Sequence, residues 1–241
     1  MTNYQDKTIG EIVASDYRAS DVFRSYGIDF CCGGQISIAE ACNENPGCEE
    51  RIMAELDELF QSPDSNTLNF NEWAAGFLAD YIQNTHHSFV RREIPVLLEY
   101  LDKIAQVHGG NHPELPIVFN LFSASAEALL EHMKKEEHVL FPAIKSMEAS
   151  QQQNTGFSKP GFGTVHNPIH QMLQEHDKEG DRFRKIADLT NDYRIPEDAC
   201  NTYMVALSKL QAFENDLHKH IHLENNILFP KAIALEKSLL S

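Results

Sequence analysis

The chain has 241 residues, a formal net charge of −16 and a hydrophobic content of 42%. This length predicts one or two domains, and the apolar content suffices for a buried core. The acidic surplus argues against nucleic acid and anionic membranes as partners, and no apolar run approaches the roughly 20 residues of a membrane-spanning helix. The N-terminal residues show neither a basic start nor an apolar stretch, so we expect no signal peptide and a cytoplasmic protein.

Short helical patterns fill residues 1–60, which we predict to be a small helical domain. Apolar residues recur there at helical spacing; a third pattern begins near Ser37, and a fourth runs from about residue 48 to 60. Residues 61–69 are polar and lack periodicity, so we predict a flexible linker that lets the small domain move.

Two adjacent cysteines stand near the middle of this small domain, in the sequence Asp29-Phe-Cys31-Cys32-Gly-Gly. Neighbouring cysteines bond to each other only in strained geometry, which argues against a disulfide between them. Backbone N–H groups next to a helix start lower the pKa of a thiol. We therefore predict that Cys31 and Cys32 are catalytic thiols for redox chemistry or metal transfer. Alternatively, they are two small residues that pack a tight turn.

The other three cysteines lack such a context. Because the chain shows no export signal, its five cysteines favour thiols over a disulfide framework. We interpret Cys42, Cys48 and Cys200 as structural residues.

Long helical patterns occupy the remainder, residues 70–241, which we predict to be a second domain. They cover roughly residues 71–107, 115–147, 168–189 and 196–237. No strand pattern occurs anywhere in the chain, so the predicted fold class is all-α. Four long helices, with a loop over residues 149–165 joining the two halves, are typical of an up-down four-helix bundle.

An internal repeat indicates what this bundle holds. The motif H-x-x-x-E-x-x-x-L-F-P occurs from His132 to Pro142 and again, 88 residues later, from His220 to Pro230. On a helix, residues four apart lie on one face, so the His and Glu of each motif point the same way. An imidazole and a carboxylate so placed can bind a transition metal, and two facing helices can hold a pair of ions.

The repeat extends upstream, since His87 precedes His132 by 45 residues and His176 precedes His220 by 44. The predicted metal ligands are His87, His132, Glu136, His176, His220 and Glu224. Four imidazoles and two bridging carboxylates suit a pair of irons better than a closed zinc site, which takes four ligands and often Cys. The sequence therefore predicts a di-iron centre with open coordination positions.

Two further histidines compete for a place at the metal. His86 points about 100° away from His87 on a helix, so only one of them faces the core, and the repeat distance favours His87. His108 lies 21 residues beyond His87, roughly 30 Å along a continuous helix. It would reach the metal only if Pro95 broke the helix, so we predict that it lies at the hairpin tip.

The remaining histidines have weaker contexts. His166 and His170 have helical spacing, but Pro168 between them is typical of a helix start. We predict that the others face solvent; these are His112, His138, His218 and His222.

The order of these motifs resembles the iron–sulfur cluster repair di-iron proteins, the repair-of-iron-centres family of ScdA or YtfE type. The resemblance covers nearly the whole chain and rests on the Cys-Cys-Gly-Gly segment, Gln-Glu-His176-Asp and both copies of the repeat. It implies a haemerythrin-like bundle with an oxo-bridged di-iron centre and the same six ligands, and a family histidine also matches His108. It further implies restoration of damaged iron–sulfur proteins in the cytoplasm under oxidative and nitrosative stress, often by a homodimer.

Two functions fit these features. In one, the bundle donates iron to damaged clusters and the thiols pass iron or electrons. In the other, the bundle binds O₂ or reduces nitric oxide, and the reduction would be an enzyme activity. The Cys-Cys segment favours repair, because an oxygen carrier has no need of a thiol-bearing domain.

Overall fold

The structure, a computed structural model, describes Tyr4 and residues 6–43, 45–61, 68–157 and 160–240. These residues are mainly helical and contain no β-strand; one isolated bridge pairs Thr8 with Ser37. The prediction of an all-α fold is confirmed. Within the same residues, no helix combines the length and apolar character that crossing a membrane requires.

Four short helices form the N-terminal part of the molecule. They are α1 (Ile9–Ser15), α2 (Ala19–Ser25), α3 (Ile38–Ala41) and α4 (Cys48–Gln61). Capping boxes start two of them. The side chains of Thr8 and Ser37 each accept the backbone N–H of the glutamate three residues later, and that glutamate's carboxylate accepts their own backbone N–H. The predicted start near Ser37 is confirmed, whereas residues 62–67 of the predicted linker lie outside the described residues.

The larger part is a bundle whose long helices are interrupted by π-helical turns. Its elements are α5 (Ala75–Ile82), a π turn (Gln83–His87), α6 (Ser88–His108), α7 (Glu114–Lys135), a π turn (Glu136–Leu140), α8 (Phe141–Gln153), α9 (His166–Leu189), α10 (Asn201–Leu223), a π turn (Glu224–Leu228) and α11 (Phe229–Leu240). Helix α6 packs beside α7 and α10, and α7 packs beside α9. Pro95 lies inside α6, which continues past it to His108.

The last long helix begins later than the sequence pattern predicts. The pattern starts at residue 196, but α10 begins at Asn201. Three successive residues, Asn191, Asp192 and Tyr193, have φ between 47° and 61°. Since a right-handed helix cannot pass through left-handed residues, α9 cannot continue through this segment, and the next helix begins only at Asn201.

The buried apolar side chains form two clusters on either side of a polar layer. One contains Phe122 and Phe213 of the bundle and continues into the N-terminal helices through Phe23. The other contains Phe141 and Phe229, beyond the layer. Because the N-terminal helices share a core with the bundle, they are packed against it rather than held only by the linker.

Close backbone contacts bring the N-terminal helices onto the bundle. A side chain at Gly10 would place its Cβ 2.4 Å from Oδ1 of Asn226, and one at Gly34 would come 2.4 Å from the carbonyl of Phe30. Across the same contact, Asn226 Nδ2 donates to the carbonyl of Phe30 at 3.1 Å. Glycine therefore allows the cysteine loop, residues 29–34, to lie against the third π turn, Glu224–Leu228.

Candidate metal centre

The π turns lie where the predicted ligands are. His87 ends the first turn, Glu136 begins the second and Glu224 begins the third. A π turn inserts one residue into a helix and changes the direction of the side chains around it, and such turns are frequent at functional sites. Helix α9, which carries His176, is a regular α-helix.

All six predicted ligands meet in the polar layer, in two overlapping groups of four. One group contains His87, Glu136, His220 and Glu224; the other contains His132, Glu136, His176 and Glu224. Within each group, the ligand atoms lie within 4.8 Å of one another, and all the residues are buried. Both carboxylates belong to both groups. This arrangement fits two cations bridged by two carboxylates.

The distances show how closely the donors converge. Nε2 of His87 lies 3.2 Å from Nε2 of His220, and Nε2 of His132 lies 3.1 Å from Nε2 of His176. Both carboxylate oxygens of Glu136 are buried without a satisfactory hydrogen bond, as is Oε2 of Glu224. Buried carboxylate oxygens of this kind require compensation, which cations between the converging donors would provide.

The Leu-Phe-Pro end of each repeat has a structural role at the site. Phe141 stacks on the ring of His87, and Phe229 stacks on the ring of His176, at centroid distances of 5.6 and 6.0 Å. Each phenylalanine thus packs on the predicted ligand histidine that comes first in its own half. Pro142 is at the start of α8, where its missing N–H costs little.

Three of the four histidines have a partner on the ring nitrogen that faces away from the centre. Nδ1 of His87 lies 2.7 Å from Glu137, and Nδ1 of His132 lies 2.9 Å from Glu175. Nδ1 of His176 lies 2.7 Å from Oδ1 of Asn225. Such partners keep the proton on Nδ1 and leave Nε2 free to bind a metal. Nδ1 of His220 has no hydrogen-bond partner.

The charges of the cluster balance one another. Burial lowers the pKa of His132, but neighbouring carboxylates, Glu136 foremost, outweigh burial and raise it to about 10. Burial raises the pKa of Glu224, but His220 and His176 outweigh burial and bring it well below its ordinary value. A proton held by His132 therefore offsets carboxylate charge, and a cation that binds this ring must displace the proton.

The cysteine loop lies directly against this centre. Cys31 is 4% exposed, and Sγ of Cys32 lies 3.6 Å from the carbonyl of His176. The backbone N–H groups of both cysteines donate to Oδ1 of Asp29, at 3.0 and 2.9 Å. The expected lowering of the thiol pKa by these groups is wrong for Cys31. The contact with Cys32, burial and the Asp29 carboxylate raise the pKa of the Cys31 thiol well above its usual value.

Comparisons with known proteins decide the family. The model of the haemerythrin HHE cation-binding domain matches residues 78–232, and the ScdA_N model, described as a domain of unknown function, matches residues 5–59. The iron–sulfur cluster repair protein ScdA of Staphylococcus haemolyticus is 34% identical over 94% of this chain and 97% of its own. The iron–sulfur cluster repair protein YtfE of Escherichia coli is 34% identical over 97% of this chain and 99% of its own.

The chain belongs to the ScdA/YtfE family of iron–sulfur cluster repair proteins. The resemblance drawn from the sequence motifs is thereby confirmed. The YtfE of Dickeya chrysanthemi, 32% identical over 96% of this chain, is another such relative.

His86 and His108 belong to neither group of possible metal ligands. The ring of His86 stacks on His220 at 5.6 Å, and its Nδ1 lies 3.0 Å from Asp216. His86 is therefore buried beside the ligands while His87 faces them. His108 ends α6 at the hairpin tip, where its Nε2 lies 3.2 Å from Sγ of Cys200.

The structure corrects the interpretation of some other histidines. His222 is buried rather than solvent-facing, because the N-terminal helices cover it and Asn226 Nδ2 lies 2.9 Å from its Nδ1. His218 and His112 are half-buried, since Phe30 and Asp198 respectively pack against them. The exposed ones are His138, His166 and His170.

The cysteines outside the loop also differ from the prediction. Cys42 and Cys48 are bonded to each other between α3 and α4, because the turn between these helices brings their Cα atoms to 5.5 Å. Cys200 is exposed and caps α10, so it is not a packing residue. The backbone N–H of Tyr203, together with His108, lowers the pKa of the Cys200 thiol to about 7.

Proposed function

We propose that this protein holds two iron ions between its six buried ligands and repairs damaged iron–sulfur clusters by donating iron. One observation carries the proposal: two four-residue cation sites share Glu136 and Glu224, and the sulfur of Cys32 lies 3.6 Å from the carbonyl of His176. Its relatives carry the name of iron–sulfur cluster repair proteins.

The donor set supports iron over other cations. Each group offers two imidazole nitrogens and two carboxylates, with no thiolate, which is not the donor set of a structural zinc site. Imidazole with carboxylate suits iron, and six protein ligands for two ions leave coordination positions open. Bound iron would supply Fe(II) as cargo for a cluster that has lost it.

The residues around the centre serve retention and release. Glu136 and Glu224 are completely buried, so they hold the ions away from water. The apolar clusters on both sides of the polar layer limit access from either end of the bundle. Cys31 and Cys32, with Asp29, form a third group of possible ligand atoms next to His176, suited to receive Fe(II) on its way out.

Iron transfer tests this proposal directly. The protein is loaded anaerobically with ⁵⁷Fe(II) and incubated with a purified iron–sulfur dehydratase whose cluster has been damaged by nitric oxide. We expect ⁵⁷Fe in the recovered cluster and return of the recipient's activity. The double variant Cys31→Ser, Cys32→Ser should keep its two irons while losing most of the transfer. Recovery of recipient activity without ⁵⁷Fe in its cluster would contradict iron donation.

A cleft at the surface favours a second candidate function. A space of about 210 Å³ between α7 and α9 is lined by His132 and His176 and opens beside Lys135 and Glu175. A small molecule such as O₂ or nitric oxide fits a space of this size. Reduction of two nitric oxide molecules to nitrous oxide and water consumes two protons and two electrons, which two ferrous ions would supply. Nitrous oxide formation by the loaded protein without any recipient distinguishes this activity from donation.

The setting of the proposed function follows the family. We propose damaged iron–sulfur proteins as the partners, because the relatives are named for that repair. The cytoplasmic location and the homodimer stay predictions. Fractionation of the source cells tests the location, and light scattering of the iron-loaded protein tests the homodimer.

A further inference from the structure

One side chain connects the cysteine loop to a proposed metal ligand. Asn225 follows Glu224 in the third π turn and is 8% exposed. Its Oδ1 lies 2.7 Å from Nδ1 of His176, and its Nδ2 donates to the carbonyl of Cys31 at 3.0 Å. The amide thus has one partner in the metal centre and one in the loop.

The chemistry of the amide makes these two contacts depend on each other. The carbonyl of Cys31 can only accept a hydrogen bond, so it requires the NH₂ end of Asn225. The oxygen of Asn225 then faces His176, and His176 must donate from Nδ1. A ring that carries its proton on Nδ1 presents a lone pair on Nε2, the nitrogen that faces the centre. The closed loop and the metal-binding tautomer of His176 therefore favour each other.

The other three histidine ligands are not connected to the loop in this way. Glu137, which contacts His87, accepts from Arg91, and Glu175, which contacts His132, accepts from Lys135. Within the described residues, His176 is the ligand with two contacts to the loop, through Asn225 and through the sulfur of Cys32 near its carbonyl.

We propose that Asn225 is a positioning residue that couples closure of the loop around Cys31 and Cys32 to cation binding at His176. The inference rests on the proposed metal centre. A His176 ring that binds a cation through Nε2 must hold its proton on Nδ1, which favours the closed loop. By linkage, cation binding should protect the thiols by the same factor as loop closure strengthens cation binding.

The neighbouring Asn226 provides a matched control. It holds the same loop through the carbonyl of Phe30 at 3.1 Å, and Gln35 donates to its Oδ1 at 3.0 Å. Its remaining contact is His222, which belongs to neither ligand group. Asn225→Asp keeps an acceptor for His176 and removes the donor for Cys31. Asn226→Asp weakens the same loop without touching a ligand.

The experiment measures alkylation of the full-length protein by iodoacetamide, with and without Mn(II). Mn(II) prefers oxygen and nitrogen ligands, so it competes weakly for the thiols themselves. Mass spectrometry of the peptide that contains Cys31 and Cys32 separates these thiols from Cys200. We expect Mn(II) to slow their alkylation in the wild type about 5-fold or more. Asn225→Asp should react faster in both conditions and lose this dependence, whereas Asn226→Asp should react faster but retain it.

Several outcomes would overturn the coupling. One is an Asn225→Asp variant with the wild-type dependence on Mn(II), and another is an Asn226→Asp variant that loses it. Hydrogen exchange of the Cys31 and Cys32 amides in the wild type needs no substitution, and unchanged exchange with Mn(II) would also refute the proposal. If Mn(II) binds at two per chain but leaves the thiols unprotected, the coupling fails while the metal centre stands. If neither Mn(II) nor Fe(II) binds, both fail.

Discussion

The two halves of the bundle provide the same set of proposed metal ligands but surround them differently. The residue after Glu136 and the residue after Glu224 each contact the histidine of the leading helix in their own half: Glu137 contacts His87, and Asn225 contacts His176. Two further positions of the repeat are exposed in the first half, where Lys134 and His138 occupy them. In the second half the matching residues are His222, which is buried, and Asn226, which binds the cysteine loop.

The difference follows from where the N-terminal helices are packed. The cysteine loop lies between α9 and the third π turn, against Gly180 and Asn225. A carboxylate in place of Asn225 would face the carbonyl oxygen of Cys31, so an amide suits this position. In the first half the matching residue is Glu137, whose carboxylate pairs with Arg91. A duplicated metal motif can therefore keep its ligands and change what supports them.

The largest effects should come from the ligands themselves, equally in both halves. His132→Ala and His220→Ala each remove one imidazole from a different cation site. We expect each variant to lose about half of its iron or more, because no other side chain can take the place of a buried inward imidazole. Iron analysis after anaerobic loading measures this loss. Full iron content in either variant would show that the two halves are not equivalent.

Residues that contact the histidines from outside the centre should have smaller effects on Fe(II) affinity, and these effects should differ between the histidines. Glu137→Gln and Glu175→Gln weaken the acceptors on Nδ1 of His87 and His132, and we expect Fe(II) affinity to fall about 10–100-fold. His86→Phe keeps a ring stacked on His220, whose Nδ1 has no partner, and should change affinity little. Chelator competition provides the affinities. The exposed Glu131→Gln is the control, and an equal loss there would point to a general charge effect.

Iron affinity should rise with pH. His132 has a pKa raised to about 10, so at neutral pH its ring is protonated in the metal-free protein, and a cation must displace the proton. Between pH 6 and 8 we expect affinity to increase by up to about tenfold per pH unit for each proton released. Calorimetry in buffers of different ionisation enthalpy counts these protons. Binding without proton release would contradict this account of the charge balance.

The smallest effect should come from the hairpin tip. His108 contacts Cys200 at 3.2 Å and belongs to neither ligand group, so His108→Ala should leave the iron content unchanged. The same substitution should slow alkylation of Cys200 at pH 7, since the imidazole helps to lower the pKa of that thiol to about 7. An iron loss comparable with that of His132→Ala would show that the tip contributes to the centre.

Much of this protein could be predicted from its sequence. The 88-residue repeat and the spacing of His87 and His176 predict the six residues that the structure brings together, because helical periodicity fixes which side chains share a face. The length of a continuous α6 also predicts the position of His108, since a helix rises about 1.5 Å per residue. The π turns have no such signal, because they replace one hydrogen-bond register by another within an unbroken helical pattern.

What the sequence by itself determined is the local periodicity: four long helices, two matching motifs and the facing of each ligand toward the bundle axis. What only the tertiary structure decided is the surroundings of residues that lie far apart in the chain. His222 is buried because helices from the other end of the chain cover it, and the thiol of Cys31 has a raised pKa because it contacts Cys32, is buried and lies beside the Asp29 carboxylate. Burial and pKa depend on what packs across an interface, and spacing along one helix carries no information about that packing.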